Sequence, residues 1–398
     1  MSARTESAGT MGQGGRLPAI CHVIPTLETG GMERVVLSLL DGFGGRGHRM
    51  FLFCTDWEGE LFETARADAK MCGRRRRLPL KVDWRVVGVL RRFVRENNIQ
   101  ILHAHNLMAQ MYSVLAAIGS PVKVVVTVHG LAYFGTKLIH RLQKPLSWGT
   151  AKVVCVSEDM VRSATERRCV DPRKMIVIRN GIPMSELQSR PAEQTAAARA
   201  RPGIPVDSLV VGSVGRFAEV KNYPLLVRAF ARLLKQREST MGTKAYGPGS
   251  PLLLLVGDGP ERPNIERAIA ECGIADSVLL PGMQGDVTPW MSAMDIFCLS
   301  SITEGTSLSL LEAGAAGLPA VATAVGGNCE VIENGVTGLL VPCGNEVALA
   351  GALGRLADDV ELRRRMGAAA AVRTRAGYSL VNMFEKYSEL YHGLGKPA

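Results

Sequence analysis

Short runs of apolar residues recur along this chain and alternate with longer stretches in which apolar residues have helical spacing. The short runs are rich in valine, leucine and isoleucine, as expected of strands buried on both faces of a parallel sheet. Strands are predicted over residues 19–24, 48–55, 99–103, 122–128, 151–157, 175–178, 209–214, 252–256, 278–281, 296–299 and 320–323. This alternation of strands and helices predicts an α/β fold built on parallel sheets.

Chain length and local composition predict two domains. At 398 residues the chain is too long for one ordinary domain and suits two α/β domains. Residues 185–207 are rich in alanine, arginine, glutamine and proline, which predicts a linker. The N-terminal domain is therefore expected over 18–184 and the C-terminal domain over 208–379, with a final helix over 380–394.

The cysteines and the first residues indicate a cytoplasmic protein. Nine cysteines are scattered without a C-x-x-C pair or a metal-ligand pattern with histidine, which is typical of reduced thiols. The first 17 residues lack the apolar core of a signal peptide. No segment reaches the ~20 consecutive apolar residues that are needed to span a membrane.

The chain is basic, with a formal net charge of +10. Nine basic side chains and one acid lie between Arg74 and Arg95, and they include the consecutive arginines Arg74, Arg75, Arg76 and Arg77. Aromatic residues make up only 5% of the chain and no nucleic-acid-binding module is recognisable, which argues against a nucleic-acid partner. Two interpretations of the arginine stretch stay open: a solvated loop, or a surface that contacts the anionic inner face of the cytoplasmic membrane.

Two glutamates, Glu304 and Glu312, flank a predicted helix start after the strand 296–299. Ser307 or Ser309 is expected to cap this helix, whose unpaired N–H groups favour a phosphate. Glu304 would then reach neutral hydroxyls ahead of the helix, and Glu312 would reach hydroxyls on the other side of the phosphate. This layout suits a nucleotide sugar; the alternative is an ordinary amphipathic helix with two solvated glutamates.

Three further loops after predicted strands have residues suited to the same ligand. Gly30 and Gly31 let the backbone approach a phosphate closely, although they do not form the G-x-G-x-x-G fingerprint of dinucleotide enzymes. Arg216 and Lys221 share one strand-to-helix loop, where two cations would clamp a diphosphate and offset the charge of a leaving group. His129 follows a strand at the end where ligands collect in open α/β sheets.

These motifs closely resemble those of the retaining glycosyltransferases of family 4, which have the GT-B fold. The shared features are the two glutamates, Gly317-Leu318-Pro319 before the strand 320–323, Gly326-Gly327 with Glu330, Gly215-Arg216 with Lys221-Asn222, Gly257 to Pro260, and Asn180-Gly181-Ile182. The aspartate that usually follows the last motif is replaced by Pro183. The resemblance covers residues 18–394. It implies two doubly wound Rossmann-like domains that face each other across a cleft, with the helix 380–394 completing the N-terminal, acceptor-binding domain.

The resemblance also implies roles for individual residues. The implied catalytic residues are His129, Arg216, Lys221 and Glu304. The implied donor-binding residues are Gly30, Gly31, Arg216, Lys221, Met283, Glu304, Gly305, Leu308, Ser309 and Glu312. His129 is preferred over His103 and His105, which match a family feature that is interpreted as structural. With two cations at the diphosphate no metal or other cofactor is expected, and no carboxylate is placed as the nucleophile of a covalent mechanism.

The implied reaction is transfer of a hexosyl group from a nucleoside-diphosphate sugar to a hydroxyl, with retention of anomeric configuration. The segment TSLSLL after Gly305 resembles that of enzymes of exopolysaccharide or lipopolysaccharide assembly, which implies a lipid-linked or oligosaccharide acceptor. The base, the sugar and the linkage stay open. The alternatives are a GT-B nucleotide-sugar epimerase and a nucleotide-sugar-binding protein without catalysis.

Overall fold

The computed structural model describes residues 16–75, 82–130, 137–184, 192–200, 203–241 and 250–395. The chain divides into two compact units. Unit 1 extends to Gly181 and includes the chain from Leu380 onward, and unit 2 is Ile182–Ser379.

Unit 1 is built on a parallel sheet, as the apolar runs predict. Its strands in the described residues are β1 Ile20–Ile24, β2 Met50–Cys54, β3 Ala69–Cys72, β4 Ile101–Ala104, β5 Lys123–Val128, β6 Lys152–Cys155 and β7 Met175–Val177. They lie side by side in the order β3-β2-β1-β4-β5-β6-β7. β3 was not predicted, because its half-buried sequence AKMC contains a lysine and is not a continuous apolar run like the others.

Helices follow most of these strands and cover the sheet. They are α1 Gly31–Gly44, α2 Trp84–Glu96, α3 Leu107–Ala117, α4 Lys137–Trp148 and α5 Glu158–Glu166. Side chains alternate between the two faces of a strand, so Cys21 and Val23 of β1 pack in one apolar core with α2 and α3. His22 therefore points to the opposite face of the sheet, where its register partner on β4 is His103.

Unit 2 has the same architecture. Its strands in the described residues are β8 Val210–Val214, β9 Leu252–Val256, β10 Val278–Gly282, β11 Ile296–Leu299, β12 Ala320–Thr323 and β13 Gly338–Val341, in the order β10-β9-β8-β11-β12-β13. Its helices are α6 Ala192–Ala200, α7 Tyr223–Met241, α8 Arg262–Cys272, α9 Thr288–Ser292, α10 Leu308–Ala315, α11 Asn328–Val331, α12 Glu346–Asp358 and α13 Val360–Gly377. All strand pairs in both sheets are parallel. Two parallel α/β sheets confirm the fold class that the sequence predicts.

The stretch that the sequence presents as a linker, 185–207, contains the helix α6, which belongs to unit 2. Residues 185–191 and 201–202 of this stretch lie outside the described residues. The Arg199 side chain of α6 is only 4% exposed, and its Nη2 lies 2.7 Å from Oδ2 of Asp295. Its Nε donates to the carbonyl of Ala293 at 3.0 Å. One buried arginine thus attaches a helix of polar composition to the unit, which composition alone does not reveal.

The final helix, α14 Leu380–Gly395, is part of unit 1. Its fully buried Tyr391 hydroxyl lies 2.7 Å from Nδ1 of His103 on β4. The Tyr387 hydroxyl lies 3.0 Å from Oγ1 of Thr127 on β5. Since unpaired polar groups are costly in a core, these bonds fix the position of the helix on the sheet. Across the described part of the chain, the helices are all too short or too polar to serve as a membrane span.

Candidate active site

The strongest contact among the predicted site residues joins Lys221 and Glu304. Lys221 lies in the loop after β8 and Glu304 in the loop after β11, on adjacent strands of the unit 2 sheet. The Lys221 Nζ is 2.7 Å from Oε1 of Glu304, and the Ser301 hydroxyl donates to the same oxygen at 2.6 Å. Both side chains are largely buried, with 19% and 9% exposed. A protected cation and carboxylate therefore lie together at the carboxyl end of a parallel sheet, where ligands of such sheets bind.

Two glycines determine the path of the Glu304 loop. A Cβ on Gly326 would lie 1.9 Å from the Glu304 carbonyl oxygen, and a Cβ on Gly327 would lie 2.0 Å from that of Gly305. The Gly327 N–H donates to the Gly305 carbonyl at 2.8 Å. The glycine pair noticed in the sequence is therefore a support for the Glu304 loop.

We expect Gly326→Ala to lower kcat by about tenfold or more, because the added methyl group must displace the backbone at Glu304. Gly335→Ala is the matched control: both glycines have positive φ (50° and 84°), but a Cβ on Gly335 meets no atom within 4 Å. Steady-state kinetics with both variants separate displacement of the loop from backbone strain. Equal kinetics for the two variants would contradict the supporting role.

The loop that bears Arg216 is held in the same way by a neighbouring turn. A Cβ on Gly257 would lie 2.0 Å from the carbonyl oxygen of Gly215, and one on Gly259 would lie 2.5 Å from that of Phe217. The Phe217 N–H donates to the carbonyl of Asp258 at 2.8 Å. The Arg216 side chain is exposed, so its guanidinium is accessible to a ligand from solvent.

The helix α10 begins at Leu308, and its cap is Ser307. The Ser307 hydroxyl accepts from the N–H of Leu310 at 3.4 Å and lies 3.1 Å from the hydroxyl of Ser309. Of the two serines that the sequence offered as caps, Ser307 is therefore the correct one. Glu312 lies one turn into the helix and is 3% exposed.

Met283 follows β10 directly, and its side chain is 57% exposed. Gly282 before it has a φ of 78°, a conformation that suits glycine and turns the chain at the strand end. Arg216, Met283 and Glu304 thus all follow the carboxyl ends of strands in one sheet.

In unit 1, Gly30 and Gly31 lie where β1 leads into α1. Gly30 precedes the helix with an extended backbone, φ −169° and ψ 170°, and Gly31 is the first helical residue. A Cβ on Gly30 would lie 2.3 Å from a carboxylate oxygen of Glu33. The carboxylate of Glu33 thus occupies the space beside Gly30, at the start of α1.

His129 follows β5 and is the outermost of three hydrogen-bonded histidines. Its Nε2 lies 3.1 Å from Nδ1 of His105, and Nε2 of His105 lies 2.9 Å from Nδ1 of His22. Burial lowers the pKa of His129 to about 4 and that of His22 to about 3, and it holds the pKa of His105 well below its usual range. The sequence predicts a structural role for His105 and does not single out His22, although a histidine inside the apolar run AICHVI is a visible signal.

His22, His103 and His105 are buried, and one ring nitrogen from each lies within 4.8 Å of the others, which is a spacing that a metal ion can use. However, both ring nitrogens of His103 already have hydroxyl partners at 2.7 Å, Tyr391 and Thr127. A metal ion would have to displace one of these buried hydrogen bonds. The residues therefore fit a hydrogen-bond network better than a metal site, and a metal-free reaction stays a prediction.

The arginine stretch is partly neutralised within unit 1. Arg76 and Arg77 lie outside the described residues. Arg75 forms two hydrogen bonds with Asp56, at 2.8 and 2.7 Å, with side chains 17% and 9% exposed. Arg74 pairs with Glu58 at 3.0 Å. The structure therefore does not support a membrane contact by Arg75, because its charge is paired with Asp56 inside the fold.

We expect Arg75→Ser to lower the free energy of unfolding by about 3 kcal/mol, because it leaves the Asp56 carboxylate buried without a cation. Arg74→Ser removes the same charge from a side chain that is 79% exposed and should leave the free energy of unfolding nearly unchanged. Urea unfolding followed by fluorescence measures both values. Similar losses in the two variants would show that Arg75 does not have this structural role.

Comparison with known proteins matches both units to glycosyltransferase families. Residues 29–186 match the model of glycosyltransferase family 4, and residues 194–373 match the model of glycosyl transferases group 1. A D-inositol 3-phosphate glycosyltransferase of Streptomyces scabiei is 36% identical over 211 residues, which is 52% of this chain and 46% of that protein. The lipopolysaccharide core biosynthesis glycosyltransferase LpsD of Rhizobium meliloti is 33% identical over 239 residues, 60% of this chain and 63% of that protein. The chain thus spans between about half and two thirds of the length of these relatives.

Solved structures show the same fold at lower identity. A glycosyltransferase from Rickettsia africae ESF-5 has a TM-score of 0.81 at 21% identity and covers 96% of this chain and 100% of its own. Anabaena Alr3699/HepE, solved in complex with UDP and glucose, has a TM-score of 0.80 at 18% identity and covers 94% and 99%. At these identities the likeness shows the fold alone, and it confirms the GT-B fold that the sequence predicts.

Proposed function

Since the chain belongs to the GT-B glycosyltransferases, with a family 4 domain followed by a group 1 domain, we propose that it transfers a hexosyl group from a nucleoside-diphosphate sugar to a hydroxyl with retention of configuration. The observation that supports this most is the Lys221–Glu304 pair, held at 2.7 Å at the end of a parallel sheet. A cation for a diphosphate and an acid for sugar hydroxyls are placed together there, which is the combination that such a donor requires.

In the proposed reaction, the bond between the anomeric carbon and the diphosphate breaks, and its electron pair leaves with the β-phosphate oxygen. The acceptor oxygen bonds to the anomeric carbon on the same face, and its proton passes to the departing phosphate. In unit 2, Arg216, Lys221 and the amide of Leu308 stabilise the charge that develops on the diphosphate. Because these groups supply positive charge, the proposed step requires no metal.

Glu304 is assigned to the donor sugar and Glu312 to the ribose. Since Oε1 of Glu304 accepts from both Lys221 and Ser301, hydroxyls of the sugar would donate to Oε2. His129 would hydrogen-bond the 6-position of the sugar. Gly305, Ser309 and Met283 complete the donor site, with Met283 beside the base.

We expect Glu312→Gln to weaken binding of free UDP by about tenfold, since a neutral amide is a poorer acceptor for two ribose hydroxyls. Glu304→Gln should leave UDP binding within about threefold and instead lower kcat/KM with the complete donor. Calorimetric titration and initial-rate kinetics measure the two effects. Glu361→Gln, which removes an exposed charge on α13, is the matched control and should change neither. Unchanged UDP affinity in Glu312→Gln would show that the ribose assignment is wrong.

A UDP-sugar is the first donor to test, because Anabaena HepE was solved with UDP and glucose. For the acceptor, we propose a lipid-linked or oligosaccharide hydroxyl in surface polysaccharide assembly, supported by the relative named for lipopolysaccharide core biosynthesis.

A panel of UDP-, GDP- and ADP-sugars, measured by thermal shift and by release of the nucleoside diphosphate, tests the proposal. Stabilisation and release with one base class is the expected result. Stabilisation without release, with any acceptor, would favour a binding protein.

A further inference from the structure

Three imidazoles in unit 1 form a continuous hydrogen-bonded row across adjacent strands. His22 lies on β1, His105 follows β4, and His129 follows β5; these strands are neighbours in the order β1-β4-β5. The nitrogen–nitrogen distances are 2.9 Å for His22–His105 and 3.1 Å for His105–His129. The backbone N–H of His105 also donates to the carbonyl of Val23 on β1 at 3.0 Å, which fixes the central ring relative to the first strand.

The two inner rings are completely withdrawn from water, with His22 at 0% and His105 at 1% exposure, whereas His129 is partly exposed. Burial lowers the pKa of all three histidines, so each ring is neutral at pH 7. A neutral imidazole has one N–H and one lone pair, so it donates from one nitrogen and accepts at the other. The N–H groups of the three rings can therefore donate in only one of two directions: all outward, from His22 towards His129, or all inward, from His129 towards His22.

The surroundings of His22, the innermost ring, favour one of these two directions. Within the described part of the chain, Nε2 of His22 has no hydrogen-bond partner. If the row ran inward from His129, this buried nitrogen would bear an unpaired N–H, and orphaned donors are rarer in protein interiors than orphaned acceptors. If the row runs outward, His22 donates from Nδ1, His105 donates from Nδ1, and only a lone pair on His22 is left without a partner.

We infer that His22 and His105 are positioning residues that hold His129 in the tautomer with the proton on Nδ1. Nε2 of His129 then accepts from His105, and Nδ1–H is the group that His129 offers to an oxygen of the substrate. A histidine in water favours the other tautomer, with the proton on Nε2, so the row imposes a state that His129 alone would not adopt. The effect of this tautomer on turnover rests on the proposed glycosyl transfer. The tautomer of His129 itself does not depend on that proposal.

The competing interpretation is a metal ion held by His22, His103 and His105. Both ring nitrogens of His105 belong to the row, so a metal ion would break one of these hydrogen bonds, and it would also remove a hydroxyl partner from His103. Elemental analysis of the purified full-length protein separates the two. A stoichiometric metal that is lost on substitution of His22 would overturn the row of hydrogen bonds.

The direct test is ¹⁵N NMR of the full chain labelled at histidine, with His129 assigned from the spectrum of His129→Gln. We expect the wild type at pH 7 to show His129 as a neutral ring protonated on Nδ1. A neutral ring protonated on Nε2, or a charged ring, would overturn the proposal. This measurement requires neither donor nor acceptor, so a failed search for enzymatic activity leaves it intact.

Two variants of the central ring add a functional readout. His105→Leu breaks the row, and we expect His129 to shift towards the Nε2–H tautomer, with kcat lowered about tenfold and the Kd for UDP unchanged. His105→Gln can accept from His22 and donate to His129 through one amide, so it should restore the tautomer and kcat to within about threefold. If His129 has the same tautomer in His105→Leu and in His105→Gln, the row does not act through hydrogen bonding.

Tyr391→Phe is the matched control. It removes a hydroxyl that is as buried as the His105 ring and lies on the same face of the sheet. The partner of this hydroxyl, His103, forms no hydrogen bond with the three histidines of the row in the described residues. We expect lower stability and an unchanged His129 tautomer. The same tautomer shift as in His105→Leu would mean that the spectrum reports general loosening of the core, which would overturn the proposal.

Discussion

Lys221→Met lowers kcat/KM by about 10² or more, equivalent to about 2.7 kcal/mol of transition-state stabilisation. The reason is that Lys221 supplies positive charge next to the departing diphosphate. Initial-rate kinetics with the donor identified in the panel provide the measurement, and Arg216→Ala is expected to show a loss of the same order. Wild-type turnover in either variant would remove that residue from the site.

The same substitution also affects stability, and this second effect can be separated. Without Lys221, the nearly buried carboxylate of Glu304 lacks its cation, which should destabilise unit 2 by about 3 kcal/mol. Adding Glu304→Gln removes the unpaired charge, so the double variant should recover most of the stability but none of the activity. Arg232→Met, which breaks an exposed pair with Glu346, is the control and should leave kcat/KM unchanged. Recovery of activity in the double variant would contradict a direct role for the cation.

Unit 1 is expected to lose stability steeply in acid while unit 2 does not. All seven histidines of the chain lie in unit 1, at positions 22, 48, 103, 105, 129, 140 and 392. Burial lowers the pKa of His22 to about 3 and of His129 to about 4, and the pKa values of His103 and His105 lie well below their usual range. Because the unfolded chain binds these protons near pH 6.5 and the folded unit does not, the stabilisation is complete above about pH 6.5 and is lost as the pH falls. Each buried histidine that stays neutral in the folded unit adds about 1.4 kcal/mol per pH unit to this loss while the unfolded chain is protonated.

The four tryptophans allow each unit to be observed separately. Trp57, Trp84 and Trp148 lie in unit 1, and Trp290 lies in unit 2. In Trp290→Phe, the remaining tryptophans report on unit 1 alone. In a variant with Trp57, Trp84 and Trp148 all replaced by phenylalanine, the fluorescence of Trp290 reports on unit 2. Urea unfolding at pH 7 and pH 5 should show a large fall in the midpoint for unit 1 and a much smaller one for unit 2. Parallel shifts in both units would show that the buried histidines are not responsible.

The sequence predicted the parallel strands well because strands buried on both faces are continuous apolar runs. It failed where that signal is weak, at β3 with its half-buried AKMC and at the four-residue β13. It also presented 185–207 as a linker, since the composition of α6 conceals the single buried arginine that attaches it to unit 2.

Within the site, sequence spacing identified Lys221 and Glu304 separately, but they are 83 residues apart and their direct contact was not foreseen. The supporting contact of Gly326 with the Glu304 loop likewise depends on backbone approach, which spacing does not encode. The histidine row arises because three strands that are distant in sequence become neighbours in the sheet. Arg75 looked like part of a surface charge run, whereas folding pairs it with Asp56.

The proposed reaction breaks the bond between sugar and diphosphate with retention of configuration. It is tested most directly by ¹H NMR of the wild type with the donor that stabilises it best, recorded before the released sugar can mutarotate. For an α-linked donor, we predict that free nucleoside diphosphate and the α-anomer of the sugar appear together. Appearance of the β-anomer, or of an epimerised donor with its diphosphate still attached, would contradict the account.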